Sequence, residues 1–191
     1  MYYCRWSVYF WLVVAILTLL SACSPEEQVK LDIYFDSAAY MQGEIEAIKK
    51  QVHYASASLA LNGEVEKKEK ISLIEESLDQ FEQIFDQVNI NQAKLRGEYQ
   101  VDTFWILDPI SAEQIEIWNY TSSNDKLKVK WMQVYSNGSL KASIADHNFL
   151  FSYEKEIYYE KQKKMSAISW QKTLGMDTLH IFNELEFIPE D

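Results

Sequence analysis

Histidine, the side chain best suited to acid–base or metal chemistry near neutral pH, is scarce in this chain of 191 residues. Its histidines, His53, His147 and His180, occur in no His-Glu-x-x-His or similar ligand spacing, so the sequence predicts no metal site and no cofactor. Asp146 could orient His147 as a general base, but the pair also suits a turn, which is the interpretation we favour. His53 and His180 are expected in strands, as solvent-facing or hydrogen-bonded side chains. No nucleophile or phosphate-binding motif occurs, so no catalytic residue is predicted.

Thiol chemistry is confined to the N-terminal part of the chain, where both cysteines, Cys4 and Cys23, are found. A basic residue, Arg5, precedes a run of 13 residues, 8–20, that is apolar apart from Thr18. A basic start, an apolar run and small residues after it are typical of a secretory signal. At about 1.5 Å per residue the run is shorter than a ~30 Å hydrocarbon core, which disfavours a transmembrane span.

The residues that end this run, Leu20-Ser21-Ala22-Cys23, resemble the recognition box of signal peptidase II in bacterial lipoproteins. The resemblance implies that Cys23 is the lipid attachment site and the first residue of the mature protein, with diacylglycerol on its sulfur and an acyl chain on its amino group. Several acyl chains anchor a protein stably, whereas one does not. Ser24 stands where many inner-membrane lipoproteins have aspartate, which implies the outer membrane. The alternative is an ordinary signal peptide cut nearby, with Cys23 left as a free thiol.

Removal of residues 1–22 leaves 17 basic residues against 29 acidic ones, a formal charge of −12. A chain this acidic is poorly suited to bind nucleic acid or anionic headgroups through a basic patch. Because Cys4 leaves with the signal and Cys23 carries the lipid, the mature fold is predicted to contain no disulfide and no catalytic thiol. We therefore divide the chain into a lipoprotein signal peptide (1–22), a lipidated tether (23–30) and a single α+β domain (31–191).

The first part of this domain, 31–91, is predicted to be a helix, a hairpin and a second helix. Asp32 is expected to cap the first helix, whose apolar residues recur at steps of four, three and four: Met41, Ile45, Ile48 and Val52. Asn62-Gly63 predicts a type I′ turn, and the charged arm after it indicates an edge strand. Ser72 and Glu75 form a capping box for the second helix. The apolar stripe of that helix comprises Ile74, Leu78, Phe81, Phe85 and Val88.

The second part of the domain, 98–188, alternates apolar and polar residues with the period of two that strands show. Seven strands are predicted near residues 98–107, 113–121, 127–136, 139–145, 149–159, 165–172 and 178–187. A two-residue turn at Asn137-Gly138 would pair Tyr135 with Leu140 and place Trp131 opposite Ile144 on one apolar face. The predicted fold class is therefore α+β, an antiparallel multi-stranded sheet with two amphipathic helices packed on one face, preceded by the signal peptide.

Several short segments follow the lipobox in a fixed order. They are Asp32-Ile33-Tyr34-Phe35, Asn62-Gly63-Glu64, Asn89-Ile90-Asn91, Leu127-Lys128-Val129, Glu156-Ile157-Tyr158-Tyr159 and Gln171-Lys172. With them the chain resembles an uncharacterised group of small Bacteroidota-type outer-membrane lipoproteins over nearly the whole mature length. The resemblance implies an α+β fold, and it brings no known activity and no site residues.

Two functions remain open. The first is a membrane-anchored, non-catalytic binding or assembly module of the envelope, facing the periplasm or the cell surface. Its partners would be the membrane, through the lipid on Cys23, and an envelope protein, glycan or lipid. Aromatic strand residues could stack on sugars or line a lipid-binding groove between sheet and helices, although core packing is their commoner role. The alternative is an envelope hydrolase that assembles His147 or His180 with carboxylates from distant strands.

Overall fold

The computed structural model describes residues 34–73, 75–108 and 111–188, apart from the side chains of 75–77 and 79–81. The described residues belong to one compact unit, Asp32–Asp191. The predicted signal peptide and tether, Cys23 and Asp32 lie outside the described residues. Within the described part of the chain, no helix is both long enough and apolar enough to span a bilayer.

The described residues contain nine strands, all in one antiparallel sheet. They are β1 (Tyr54–Leu61), β2 (Glu64–Ser72), β3 (Tyr99–Leu107), β4 (Gln114–Ser122), β5 (Val129–Tyr135), β6 (Leu140–His147), β7 (Phe151–Glu160), β8 (Lys164–Thr173) and β9 (Leu179–Ile188). The order across the sheet is β2-β1-β9-β8-β7-β6-β5-β4-β3, so β3 to β9 form a meander and the β1–β2 hairpin extends it beside β9. All seven strands predicted after residue 98 are confirmed, and with two helices the α+β class is confirmed as well.

The first helix, α1, spans Ser37–Gln51 and begins one residue after its cap, Asp36, whose side chain accepts a hydrogen bond from the Ala39 N–H at 3.0 Å. The prediction that Asp32 caps this helix is therefore wrong, because an N-cap must directly precede the first helical turn. The apolar stripe is confirmed. Its four residues, Met41, Ile45, Ile48 and Val52, are all buried.

The second helix, α2, spans Glu75–Gln87. The predicted capping box does not begin it, because Ser72 still belongs to β2, where it pairs with Tyr54. The β1–β2 pairing thus extends past the expected start of the helix, and α2 begins later, at Glu75. Of the predicted stripe, Leu78, Phe85 and Val88 are buried, whereas Ile74 and the side chain of Phe81 lie outside the described residues. A short 3₁₀ helix, Ala93–Leu95, follows.

One face of the sheet carries Leu140, Tyr159 and Leu185, which lie near one another across neighbouring strands, and we call it the inner face. The Tyr159 hydroxyl donates a hydrogen bond to Glu44 Oε2 of α1 at 2.6 Å. The Tyr159 ring also meets the Phe85 ring of α2 edge to face, with centroids 6.2 Å apart. Side chains of both helices therefore converge on a single strand residue. Burial raises the pKa of Tyr159, because ionisation would place a second negative charge beside Glu44 in a poorly hydrated site.

The β5–β6 connection differs from the predicted two-residue turn. The Gly138 N–H donates to the Tyr135 carbonyl at 2.8 Å and the Tyr135 N–H donates to the Ser139 carbonyl at 3.0 Å. With Gly138 at φ +85°, this is a three-residue loop that ends in a left-handed residue. A Cβ at this position would also lie 2.6 Å from Lys161 Cδ and 2.9 Å from the Tyr40 hydroxyl, so these side chains would have to shift.

This loop shifts the pairing of β5 and β6 by one residue. Val134 pairs with Leu140, and Met132 pairs with Ala142. The predicted pairs Tyr135–Leu140 and Trp131–Ile144 are therefore wrong. Because a shift of one residue turns every side chain of a strand to the other face, Met132 and Val134 are buried in the core while Trp131 lies on the outer face.

The turns alternate between two ends of the sheet. Asn62 and Gly63 have φ values of 51° and 88°, which confirms the predicted type I′ turn, and β2 is an edge strand as predicted. We call this end, which also holds loops 148–150 and 174–178, the Gly63 end. The opposite end, with Gly138, is the Gly138 end. Each strand runs from one end to the other because every pairing is antiparallel.

Candidate binding cleft

The predicted Asp146-His147 pair lies in a strand and not in a turn, since β6 extends to His147. Successive side chains of a strand point to opposite faces, so Asp146 cannot orient the His147 ring. Asp146 instead forms an ion pair with Lys128 at 2.9 Å. The turn interpretation is therefore wrong, and so is an Asp146–His147 catalytic pair.

The other two histidines lie apart from His147. His180 is in β9, as predicted, and its ring stacks on that of Trp170 with centroids 5.4 Å apart. Its Nε2 is buried and has no hydrogen-bond partner among the described residues, so the expectation of a solvent-facing or hydrogen-bonded side chain is not met at this atom. His53 lies between α1 and β1 and not within a strand as predicted. Of the tryptophans, Trp118 packs against the core, whereas Trp105 is 58% exposed.

His147 has two neighbours of catalytic type on the outer face. Its Nδ1 lies 2.8 Å from Ser152 Oγ, and its Nε2 lies 3.9 Å from Glu154 Oε1. A serine, a histidine and a carboxylate are thus brought together, although the carboxylate is beyond hydrogen-bonding distance. The side chains of His147 and Glu154 are 50% and 57% exposed, so water competes for both. This cluster contains the residue types of a hydrolytic triad, but it is exposed to solvent and is not enclosed in a site.

A cleft of about 510 Å³ opens on the inner face towards the Gly63 end. Strands β1, β2, β7, β8 and β9 contribute its floor and Ile84 of α2 contributes to its wall. The apolar lining residues are Ala57, Leu59, Ile71, Ile84, Ala167, Ile181 and Leu185. Protein sites for small molecules are typically ~300–1,000 Å³ and mostly apolar, so both the size and the lining suit a ligand.

Small side chains create this space. Ala57 on β1 and Ala167 and Ser169 on β8 occupy inward positions of the floor, whereas Met165, the next inward residue of β8 towards the Gly138 end, fills the core. Because side chains on one face of a strand recur at every second residue, the change from Met165 to Ala167 and Ser169 on β8 alone removes much of the filling volume. The cleft therefore follows directly from the sequence of its strands.

Lys155 is the charged residue that distinguishes the cleft. It stands at an inward position of β7, opposite Ile144 on β6 and Ser169 on β8, so neither direct cross-strand neighbour is acidic. Its side chain is about half-buried, and burial lowers the pKa of Lys155 because a desolvated ammonium is disfavoured. Asp146, which lies further along β6, is already paired with Lys128.

The other charges around the cleft are matched. Lys67 and Glu69 form an ion pair at 2.7 Å on the exposed strand β2, and Glu184 pairs with Lys164 at 3.6 Å. Within the described residues, no acidic side chain lies within ion-pair distance of Lys155. An unmatched, partly desolvated ammonium at an apolar cleft attracts a ligand that carries a negative group.

No known protein family, curated protein or solved structure matches this chain. Among the residues that the structure describes, no three His, Cys, Asp or Glu side chains are placed to hold a metal ion. The cleft and the His147 cluster are therefore the two sites on which we base a function.

The position of Lys155 in the sequence is itself a signal for the cleft. Lys155 interrupts an inward-facing series on β7, between Tyr153 and Ile157, and a lysine at such a position needs either a partner or a cleft. Tyr153 and Lys155 both line the cleft. Its depth depends on β1 and β2, which are distant in sequence.

Proposed function

We propose that the chain is a lipid-anchored, non-catalytic binding module of the bacterial outer membrane, and that its cleft binds an amphipathic ligand with an acidic head group. In this proposal α1 and α2 cover the same face of the sheet and leave the cleft free beyond their edge. The observation that carries the proposal is the cleft with apolar lining that contains Lys155, for which the described residues provide no acidic partner.

The ligand class follows from the two parts of the cleft. Apolar lining stabilises a hydrocarbon portion by roughly 25 cal/mol for each Å² removed from water. A carboxylate or phosphate at Lys155 would gain a charge-assisted hydrogen bond to an ammonium that has already lost part of its hydration. A cationic ligand would instead meet an unscreened like charge. A fatty acid or a similar acidic amphipath therefore fits both parts.

The acidic net charge of the chain, −11, opposes the approach of an anion. At physiological ionic strength, however, the Debye length is about 8 Å, so exposed acids elsewhere on the surface are largely screened. Contact with Lys155 inside the cleft is screened much less. We infer that the local charge of the cleft dominates the choice of ligand.

The anchored part of the proposal is supported by Leu20-Ser21-Ala22-Cys23, by Ser24 after it and by the resemblance to small Bacteroidota-type lipoproteins. The lipid on Cys23 would hold the domain at the outer membrane, close to amphipathic molecules that partition there. In this arrangement the anchor brings the cleft close to its proposed ligand.

Replacing Lys155 with methionine is expected to raise the dissociation constant of a fluorescent fatty acid about tenfold or more, because a hydrogen bond to a charged group contributes ~1.5–3 kcal/mol. The chain without residues 1–22 would be titrated with the probe in detergent-free buffer. Methionine preserves the length and the apolar stem of lysine, so packing changes little. The matched control is Lys172→Met, which removes an exposed charge on the outer face and should leave the affinity unchanged.

The same titration has an expected pH dependence. The affinity depends on protonated Lys155, so it is fully present below the pKa of Lys155 and is lost as the pH rises through it. Because burial lowers that pKa from the ordinary 10.5, the loss should begin at a lower pH than for an exposed lysine. Equal affinity of the wild type and Lys155→Met at neutral pH, or saturation by neither, would contradict the assignment of the cleft.

The His147 cluster supports a second candidate, an envelope hydrolase with Ser152 as nucleophile. The 2.8 Å contact between His147 Nδ1 and Ser152 Oγ is the observation that favours it. A fluorophosphonate probe reacts covalently with activated serines. Labelling of the wild type that disappears in Ser152→Ala and persists in Ser169→Ala would support hydrolysis, whereas an unlabelled wild type would argue against it.

A further inference from the structure

Four large apolar side chains are exposed at two neighbouring loops of the Gly63 end. Phe149 and Leu150, in the loop between β6 and β7, are 87% and 58% exposed. Leu174 and Met176, in the loop between β8 and β9, are 63% and 69% exposed. The Leu174 N–H donates a hydrogen bond to the Leu150 carbonyl at 2.9 Å, so the two loops adjoin. We call these four residues the loop patch.

Loop tips are normally polar, because they face water and need turn-forming residues. The loop patch departs from that rule, because its residues are apolar. The two loops still contain turn-forming residues, Asn148 and Gly175. Contiguous exposed apolar surface of this kind marks an interaction site. The patch is also separate from the core, so fold stability does not explain it.

The start of the described chain indicates what the loop patch meets. In the meander β3, β5, β7 and β9 all begin at the Gly63 end, and the Tyr34 hydroxyl accepts a hydrogen bond at 2.9 Å from the N–H of Gly97, just before β3. Tyr34, the first described residue, therefore contacts the sheet at the same end as the patch. Residues 24–33 separate Cys23 from Tyr34, and ten residues span at most ~35 Å. A lipid on Cys23 would thus hold Tyr34, which contacts the Gly63 end of β3, within about that distance of a bilayer.

We propose that the loop patch docks into the interfacial region of a phospholipid bilayer, with the Gly63 end facing the membrane. This rests on the lipid anchor of the proposed function. Phe, Leu and Met side chains suit insertion among acyl chains near the headgroups, and the acidic chain favours zwitterionic over anionic lipid. Docking in this orientation also turns the open side of the cleft towards the bilayer, from which an amphipathic ligand would enter.

A fluorophore at the loop patch tests this orientation in the lipidated full-length protein. Leu174→Cys provides the only free thiol once Cys4 has been removed with the signal and Cys23 carries lipid. The labelled protein, carrying an environment-sensitive fluorophore, would be reconstituted on phosphatidylcholine vesicles. The matched control is Leu107→Cys, a leucine that is 71% exposed at the Gly138 end.

We expect the Leu174 label to shift to the blue, to brighten severalfold on vesicles and to be quenched by nitroxide-labelled lipid, while the Leu107 label changes little. Protein that floats with the vesicles while both labels stay aqueous would overturn docking and leave the anchor intact. Protein that does not float would overturn the anchor and the docking together. A blue shift of the Leu174 label without vesicles would indicate contact with a second copy, and it would also overturn the proposal.

Discussion

Replacing Phe85 with alanine is expected to lower the free energy of unfolding by about 3–5 kcal/mol, a large share of the ~5–15 kcal/mol typical of a domain. The Phe85 side chain is 0% exposed, and its ring lies against Tyr159. Its backbone carbonyl also accepts a hydrogen bond from Ser37 Oγ at 3.2 Å, which ties α2 to the start of α1. Truncation leaves a cavity that cannot close easily, because Tyr159 is held in place by Glu44. The midpoint of denaturant unfolding measures the loss.

The control for this substitution lies on the same helix. Gln83 is exposed, so Gln83→Ala should change stability by no more than ~0.5 kcal/mol. If Phe85→Ala left the midpoint unchanged and instead abolished binding to an envelope partner, the buried stripe of α2 would be an interface. The sheet would then need another cover, and the proposed arrangement of both helices on one face would fail.

The elements that the sequence predicted well are those set by local periodicity. The strands after residue 98 show the period of two with turn residues between them, and the stripe of α1 repeats at helical spacing whatever surrounds it. Asn62-Gly63 also has a local cause, since both residues adopt positive φ. Each of these features follows from the local conformational preferences of the residues that form it.

The predictions that were wrong concern the β5–β6 connection, whose geometry depends on contacts with residues far away in the sequence. Asn137-Gly138 reads like Asn62-Gly63, yet one connection is a three-residue loop and the other a two-residue turn. The difference moves Trp131 to the outer face. Close contacts from Tyr40 and Lys161 at Gly138, which no local pattern contains, accompany the longer loop. A register error of one residue is enough to reverse a predicted face.

The cleft could not be predicted, because its wall and floor join strands far apart in sequence. β1 pairs with β9, across more than a hundred residues, and only this pairing brings Ala57 beside Leu185. Lys155 could have been flagged as an inward lysine on β7, but its lack of an acidic partner depends on β6 and β8. The cleft, and the ligand binding that we propose for it, thus depend on strand pairings between residues that are far apart in sequence.

Replacing Cys23 with alanine is expected to abolish acylation completely, because alanine has no sulfur to carry the diacylglycerol group. Cells expressing the full-length chain would be fed a fatty-acid probe, and the protein would be recovered and its label measured. Processing should stop as well, since signal peptidase II requires the modified cysteine, so residues 1–22 should remain and the mass should rise accordingly. Cys4→Ala is the matched control. It removes the other thiol of the chain and should leave labelling and processing intact.

The pattern of outcomes separates the two interpretations of the N-terminal segment. An ordinary signal peptide would still be cleaved from the Cys23→Ala chain, which would then leave the membrane at mature length without ever having carried label. Label retained on the alanine variant would place the lipid elsewhere and contradict the anchor outright. If label and processing are both lost, the ten residues 24–33 become the only covalent link between the bilayer and the domain. Their ~35 Å reach then limits how far the Gly63 end, with its cleft and its loop patch, can move from the membrane surface.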